Sequence, residues 1–287
     1  MQILYKETKF ILEKYNIKAN KSLGQNFLID EETVNSIVDA ANISKEDLII
    51  EIGPGLGTLT QRILEKAGKV ICIELDPRMI EILEERFALY DNIKIIHEDV
   101  LKVNLNELIE KEKENTNITC AKIVANLPYY ITTPIVMKLL EDKLDIESIT
   151  IMIQKEVAQR LIAEPGDSLS GAITYGIHYY TEPEFVTEVS RNSFIPAPEV
   201  DSEVIKLNIK KKQDILVENE GRLFKIIKLA FMQRRKTLIN ALSNGNIFES
   251  KEQIENMLKE LGIDTKIRGE KLTLEQFAQI ANYKINK

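Results

Sequence analysis

The stretch Asn126–Tyr129, NLPY, joins a side-chain amide to a proline turn and an aromatic ring, directly after the apolar run KIVA. Proline stiffens the turn and restricts Leu127 before it to an extended conformation. The amide oxygen and a fixed backbone carbonyl can each accept one N–H of a primary amine, and the ring offers a face to an unstacked base. This arrangement suits methyl transfer to an exocyclic adenine amine, with an asparagine turn and packed tyrosines as the alternative.

A glycine-rich turn and an acidic partner lie upstream. EIGPGLGTLT places Gly53 and Gly55 between an apolar run and a helical pattern, and glycine lets a ligand approach bare backbone. The next apolar run, VICIELD, ends in Glu74 and Asp76. In nucleotide-binding α/β sheets an acid at this place accepts hydrogen bonds from ribose hydroxyls. We assign that role to Glu74, because Asp76 directly precedes Pro77 and so predicts a helix cap.

A third acid, Asp99, follows the apolar run NIKIIHEDV and could accept a hydrogen bond from an adenine amino group. Taken singly, the glycine turn can be a plain strand-to-helix turn, and Asp99 can be a helix cap or loop acid. Together the three places stand at the carboxyl ends of consecutive strands and predict one adenosine-binding crevice. NAD and S-adenosylmethionine both carry adenosine, and the NLPY stretch favours S-adenosylmethionine.

The charge of the chain is unevenly distributed. The net charge of the 287 residues is −7, which argues against a simple polyanion binder. Between Glu203 and Asn240, however, ten Lys and Arg residues stand against four acids, a net charge of +6. This cluster indicates either a solvated helix face or a surface that contacts phosphates. The expected RNA-phosphate contacts are Lys210, Lys211, Lys212, Arg234, Arg235 and Lys236.

The remaining composition favours a cytoplasmic protein. Cys72 and Cys120 both lie in apolar runs, which predicts free core thiols in a reducing compartment. The sequence shows no apolar run of membrane-spanning length and no secretory signal pattern. His97 and His178 are isolated in the sequence, so no metal site is expected.

A framework of alternating strands and helices must position these residues. Up to residue 209, short apolar runs alternate with amphipathic helical patterns, which predicts βαβ units and a mostly parallel sheet covered on both faces. A polar linker, KKKQDILVENE, then leads only to helical patterns. We predict a Rossmann-like α/β methyltransferase domain with an N-terminal arm, residues 1–209. A linker and a smaller all-α, RNA-contacting domain follow, residues 210–287.

The order of the motifs resembles that of the ribosomal RNA small-subunit adenine N6-dimethyltransferases. The shared motifs are KSLGQNFLID, EIGPGLGTLT, ELD, HEDV, VANLPYYITTP, QKEVAQRL, NSFIPAPEVDSEV and AFMQRRKTLINAL. They cover nearly the whole chain. The resemblance implies S-adenosyl-L-methionine as the cofactor. It also implies the transfer of two methyls to each of two adjacent adenines near the 3′ end of 16S ribosomal RNA, late in small-subunit biogenesis.

The resemblance further implies roles for individual residues. The implied cofactor contacts are Asn26, Leu28, Gly53, Gly55, Glu74, Asp99 and Asn126. The expected catalytic residues are Asn126, Leu127, Pro128, Tyr129 and Phe194. Of these, Phe194 depends on the resemblance alone, as the second aromatic that clamps a flipped adenine. Its alternative is a core phenylalanine beside a proline-rich loop.

We expect a monomer that acts on the RNA of the immature small ribosomal subunit, with neither a metal nor a membrane. One alternative is a large-subunit methyltransferase that confers macrolide resistance, although such enzymes usually carry isoleucine at the position of Leu127. Another is an assembly factor whose binding matters more than methylation. A DNA adenine methyltransferase and an NAD oxidoreductase fit less well, because the sequence offers neither a base-reading domain nor a hydride-transfer acid or base.

Overall fold

The computed structural model describes residues 2–20 and 23–284, so Lys21 and Ser22 of the first shared motif lie outside the described residues. The strands are β1 (Phe27–Leu28), β2 (Asp47–Ile52), β3 (Lys69–Glu74), β4 (Ile93–His97), β5 (Cys120–Asn126), β6 (Ser148–Gln154), β7 (Thr181–Val189), β8 (Phe194–Ile195) and β9 (Ser202–Ile209). The helices are α1 (Gln2–Lys14), α2 (Glu31–Ala40), α3 (Thr58–Lys66), α4 (Pro77–Arg86), α5 (Leu105–Asn115), α6 (Thr132–Glu141), α7 (Lys155–Ile162), α8 (Ala172–Tyr180), α9 (Glu220–Met232), α10 (Leu238–Leu242), α11 (Lys251–Glu260) and α12 (Leu274–Asn282).

A seven-stranded sheet with the order β4-β3-β2-β5-β6-β9-β7 organises the first part of the chain. Strands β4, β3, β2, β5 and β6 pair in parallel, and β9 pairs antiparallel with β6. Central strand β2 is buried along its whole length, as expected for a parallel strand covered on both faces. The predicted α/β class, with a mostly parallel sheet and a helical C-terminal part, is confirmed. Strands β7 and β9 were not predicted.

Residue contacts divide the chain into two units. The first unit comprises Met1–Ala158 and Pro183–Ile209, and the second comprises Gln159–Glu182 and Lys210–Lys287. The second unit resumes at Lys210, where the predicted second domain begins, but it also includes residues 159–182, which the prediction had placed in the first domain. The reason lies in α8, whose Tyr175 ring is 5.0 Å from the Phe277 ring and 5.4 Å from the Phe231 ring, centroid to centroid. Its hydroxyl donates to the Leu272 carbonyl at 2.7 Å, so α8 forms part of the core of the second unit.

The basic residues Arg234, Arg235 and Lys236 lie in a turn and not on a helix face. Helix α9 ends at Met232, because Gln233 adopts φ −127° and ψ 50°, outside the helical region. The Lys236 N–H then donates to the Gln233 carbonyl at 2.8 Å and closes the turn. The connection between α9 and α10 therefore presents these three side chains.

Candidate active site

A cavity in the first unit lies where β2, β3, β4 and β5 end. Parallel strands carry their carboxyl ends to one edge of a sheet, which brings together motifs that are far apart in sequence. The expected cofactor residues on its lining are Asn26, Leu28, Gly53, Gly55, Glu74, Asp99 and Asn126. The expected catalytic residues on its lining are Asn126, Leu127, Pro128 and Tyr129. The roles of these residues stay predictions, but their predicted proximity is present in the structure.

The glycine turn leaves open space above its backbone. Gly53 has φ +67°, a conformation that glycine adopts without strain. A Cβ built on Gly53 would have no heavy atom nearer than 4.0 Å, at Pro128 and the Asn126 carbonyl. A side chain at Gly53 would therefore be strained and would project into the cavity, whereas glycine keeps that volume for a ligand.

Glu74 is held rigidly at the end of β3. Its carboxylate accepts the backbone N–H groups of Leu75 at 2.8 Å, Asp76 at 2.9 Å and Gly55 at 3.1 Å. Burial raises the pKa of Glu74, and these three hydrogen bonds counteract part of that rise. A carboxylate offers about four acceptor positions, so roughly one remains for a ligand hydroxyl in the cavity.

Asp76 caps α4, as predicted, and also fastens the N-terminal loop. It accepts the N–H of Arg78 at 3.1 Å as helix cap, and the side-chain amide of Gln25 at 2.8 Å. Burial alone would raise the pKa of Asp76, but the bonds from Arg78 and Gln25 outweigh it and lower that pKa. On the opposite side of the cavity, the Asn126 amide donates to the Asn26 carbonyl at 3.4 Å. The loop Leu23–Leu28 is thus tied to the ends of both β3 and β5.

Asp99 is half-buried after β4, and its Oδ1 accepts the N–H of Leu101 at 3.0 Å. This hydrogen bond closes the turn that follows β4. Asp99 therefore acts as a loop acid, the alternative that the sequence analysis left open. The second carboxylate oxygen remains available as an acceptor. Leu75 and Val100, each directly after an acid at a strand end, line the same cavity, and the sequence analysis missed both. Their positions next to Glu74 and Asp99 are the sequence feature from which their place on the cavity lining could have been predicted.

Glu51 is the functional candidate that the sequence analysis missed altogether. It lies in β2 on the cavity lining with only 2% of its surface exposed. Burial raises its pKa from 4.5 to about 7. The Cys72 thiol is 3.7 Å from Oε2 of Glu51, and burial raises the pKa of that thiol well above its usual value. A carboxyl with a raised pKa therefore lies on the cavity lining, two residues before Gly53.

The NLPY stretch forms a rigid acceptor site. The Asn126 side-chain nitrogen donates to the Asn26 carbonyl, so its Oδ1 is left as an acceptor. The N–H of Leu127, at 1% exposure, donates to the Met152 carbonyl at 3.1 Å. The Pro128 carbonyl already accepts from residues 131 and 132. The Leu127 carbonyl is therefore the backbone acceptor available to an amine beside Asn126.

Two consecutive tyrosines at this site have different surroundings. Tyr129 is half-buried, and its hydroxyl is 2.6 Å from Oγ of the buried Ser202. Burial raises the pKa of Tyr129. Tyr130, in contrast, lines the cavity with 57% of its surface exposed. The Tyr129 ring is thus fixed by its far end, whereas Tyr130 stands at the cavity mouth.

Phe194 is the expected catalytic residue that the structure does not bring to the cavity. It is 3% exposed, pairs with Leu28 between β8 and β1, and belongs to a core cluster with Val124 and Met152. To stack on a base, the Phe194 ring would have to leave this core. The structure therefore supports the core alternative for Phe194.

The basic residues divide into two groups within the second unit. Arg234 places Nε 3.1 Å from a carboxylate oxygen of Glu270 and donates to the Ser170 carbonyl at 3.3 Å. Lys210 pairs with Asp214 at 2.8 Å. These two cations are engaged in internal contacts, which is the structural role that charge runs often have.

Lys211, Lys212, Arg235 and Lys236 form the second group. All four side chains are exposed, and they make neither a hydrogen bond nor an ion pair with residues 2–20 or 23–284. These four residues remain the candidates for phosphate contacts. Across the same ranges, no cluster of His, Cys, Asp and Glu is suited to a metal ion, and no helix is long and apolar enough to span a membrane.

Comparisons with known proteins agree with this geometry. A family model described as ribosomal RNA adenine dimethylase matches residues 16–286. The chain is 48% identical over 277 residues to the ribosomal RNA small subunit methyltransferase A of Alkaliphilus oremlandii, covering 96% of each chain. It is 49% identical over 275 residues to the protein of the same name from Clostridium botulinum, covering 96% of this chain and 97% of the relative.

Solved structures show the same fold over most of the chain. A dimethyladenosine transferase from Plasmodium falciparum matches with a TM-score of 0.74 and 26% identity, covering 88% of this chain and 95% of that one. The 23S rRNA methyltransferase ErmE matches with a TM-score of 0.67 and 26% identity, covering 89% and 98%.

Proposed function

The chain belongs to the ribosomal RNA adenine dimethylase family and is an S-adenosylmethionine-dependent methyltransferase, and from this premise we propose its substrate and mechanism. It transfers two methyls to the N6 amine of each of two adjacent adenines near the 3′ end of small-subunit ribosomal RNA. The observation that carries this proposal is the pair of acceptors at the end of β5, Asn126 Oδ1 and the Leu127 carbonyl, on the wall of the cavity. That pair matches an amine with two N–H bonds.

The described residues fit an adenosine-bearing cofactor. The space above Gly53 admits a ligand against bare backbone, and Glu74 retains an acceptor for ribose hydroxyls. Asp99 keeps one carboxylate oxygen for the adenine amino group, and Asn26 and Leu28 form the wall opposite. When bound, S-adenosylmethionine supplies a methyl group on a positively charged sulfur.

The protein's contribution to the reaction is orientation. The lone pair of an adenine amine is delocalised into the ring, so the nitrogen is a poor nucleophile. Asn126 Oδ1 and the Leu127 carbonyl each accept one N–H, which draws the nitrogen towards a tetrahedral geometry and localises its lone pair on the nitrogen. Tyr129, anchored through Ser202, presents its ring to the base. Fixed acceptors of this kind lower a barrier because they need no reorganisation during the reaction.

The large-subunit enzyme is the second candidate, because the 23S rRNA methyltransferase ErmE shares the fold. The small-subunit relatives are far more similar in sequence, at 48% identity over 96% of the chain against 26%. Leu127, where large-subunit enzymes usually carry isoleucine, agrees with the same choice. We further place the protein in the cytoplasm as a monomer that acts on the immature small subunit during late biogenesis.

Incubation with labelled S-adenosylmethionine tests the proposal. Two substrates are tested separately: small subunits that lack the modification, and large subunits. The modified bases are then mapped in each RNA. We expect label at two adjacent adenines near the 3′ end of the small-subunit RNA, and a much lower initial rate of labelling with an Asn126→Ala variant that remains folded. Label confined to large-subunit RNA would favour the second candidate. Tight binding to immature subunits without any label would favour an assembly factor.

A further inference from the structure

Tyr130 is an exposed aromatic residue at the mouth of the cavity that the mechanism above does not use. It follows Tyr129 directly and lines the same cavity with 57% of its surface accessible. Its hydroxyl has no hydrogen-bond partner and its ring packs on no other aromatic ring in the part of the chain that the structure describes. An exposed ring of this size beside a substrate site offers an unused stacking surface.

The ring of Tyr130 is nevertheless held in place. Gly24 has φ +64°, and a Cβ built on it would lie 3.3 Å from Cδ1 of Tyr130 and 3.4 Å from Cβ of Pro128. The ring therefore rests against bare backbone of the loop Leu23–Leu28, where a side chain would crowd it. One part of the ring is supported by this contact, and the remainder is open to solvent.

An RNA base that enters the cavity leaves its neighbours partly unstacked. The cost of flipping a base includes this loss of stacking, and proteins that bind single strands recover it on aromatic rings. Tyr129 already serves the target base inside the cavity. A second ring at the mouth stands where the strand leaves the site.

We propose that Tyr130 stacks on the nucleotide next to the target adenine and thereby favours a purine at that position. The proposal rests on the RNA substrate given under Proposed function. For one adenine of the adjacent pair, the neighbour on the Tyr130 side is the other adenine. The contact would therefore favour that adenine as a target when a second adenine lies beside it.

The test compares Tyr130→Ala, Tyr130→Phe and the native protein at saturating S-adenosylmethionine. A matched control is Tyr5→Ala, which removes an exposed tyrosine of α1 that does not line the cavity. We expect Tyr130→Ala to raise the KM for RNA by about 5- to 150-fold, the factor given by the usual range of base–aromatic stacking. Tyr130→Phe keeps the ring and should restore the native KM, and Tyr5→Ala should not change it.

Two further measurements separate stacking from a structural role. Replacing the neighbouring adenine by uridine should weaken RNA binding by the native protein more than it weakens RNA binding by Tyr130→Ala. The reason is that only the native protein has the ring that discriminates between the two bases. A 2-aminopurine at that position should fluoresce less in complex with the native protein than with Tyr130→Ala. The proposal would be overturned if the native protein and Tyr130→Ala showed equal discrimination and equal fluorescence, and Tyr130→Ala bound S-adenosylmethionine more weakly. Tyr130 would then be a support for the loop Leu23–Leu28.

The outcomes also distinguish this proposal from the function on which it rests. If the native protein does not methylate small-subunit RNA, the proposed function fails and the stacking role fails with it. If the native protein methylates that RNA and Tyr130→Ala has the native KM, only the stacking role fails.

Discussion

The buried carboxyl of Glu51 makes the stability of the first unit depend on pH. Its pKa is about 7 in the folded protein against 4.5 without burial, because burial disfavours the charged form. The folded state therefore holds a proton that the unfolded chain has already lost between these two values. By linkage, the free energy of unfolding falls as the pH rises through this window and levels off above the folded pKa. At 1.36 kcal/mol per pKa unit, the whole fall amounts to about 3 kcal/mol.

Glu51→Gln should remove this dependence, since glutamine has nearly the same shape and cannot ionise. We expect the variant to gain about 2 kcal/mol relative to the native protein between about pH 5.5 and pH 8, the part of the window that is open to measurement. Urea unfolding at several pH values, monitored by circular dichroism, gives the two free energies, with equal slopes required for the comparison. Glu81→Gln, an exposed carboxyl of α4, is the control and should show no such gain.

A constant difference between Glu51→Gln and the native protein across this range would refute the reasoning. It would mean that the carboxyl is ionised throughout, with its charge compensated inside the fold. A gain that appears only at high pH, in contrast, would show that the protonated form is the one that the fold accommodates.

Three further changes test the site and the basic cluster. Glu74→Ala should weaken S-adenosylmethionine binding by about 1.5–3 kcal/mol, the range for a hydrogen bond to a charged group, and calorimetry that finds native affinity in a folded variant would refute the ribose role. Asn126→Ala should raise the barrier to methyl transfer by about 2.7–4 kcal/mol in a folded protein, and single-turnover rates near the native value would contradict its role. Replacing Arg235 and Lys236 by glutamine should flatten the log–log salt dependence of RNA binding by about 1.4, at roughly 0.7 per phosphate contact. Arg234→Gln is the control, and it should lower the melting temperature instead, because its guanidinium pairs with Glu270.

Four of the parallel strands, β2, β3, β5 and β6, could be predicted from the sequence because they are largely buried and read as mostly apolar runs. The edge strand β4 is only half-buried, and its apolar residues Ile93, Ile95 and Ile96 were the signal. The strands β7 and β9 carry no such signal. β7, TEPEFVTEV, contains a proline and four acids or threonines on exposed or half-buried positions, which an edge strand tolerates because one side faces solvent. β9, SEVIKLNI, has only two consecutive apolar residues, Val204 and Ile205, and its antiparallel pairing with β6 makes it part of the sheet.

Site residues could be predicted where the residue type alone implies a role. They could not be predicted where the role depends on how deeply the side chain is buried. Glycine, acid and asparagine at strand ends indicated the cavity. The position of Phe194 in the core depends on the pairing of β8 with β1, and these strands are far apart in the sequence. Likewise Glu51 lies inside an apolar run, where a single acid shows neither its burial nor its raised pKa.

The loop Leu23–Leu28 has a practical consequence for shortened forms of the protein. It supplies one wall of the cavity, yet its only strand, β1, pairs with β8 and lies outside the seven-stranded sheet. A chain that begins after Leu28 would keep every strand of that sheet, and its circular dichroism would resemble that of a folded enzyme. Its cavity would nevertheless lack the contacts from Gln25 and Asn26. Purification tags and truncations are therefore better placed at the other end of the chain, with cofactor affinity as the criterion of integrity.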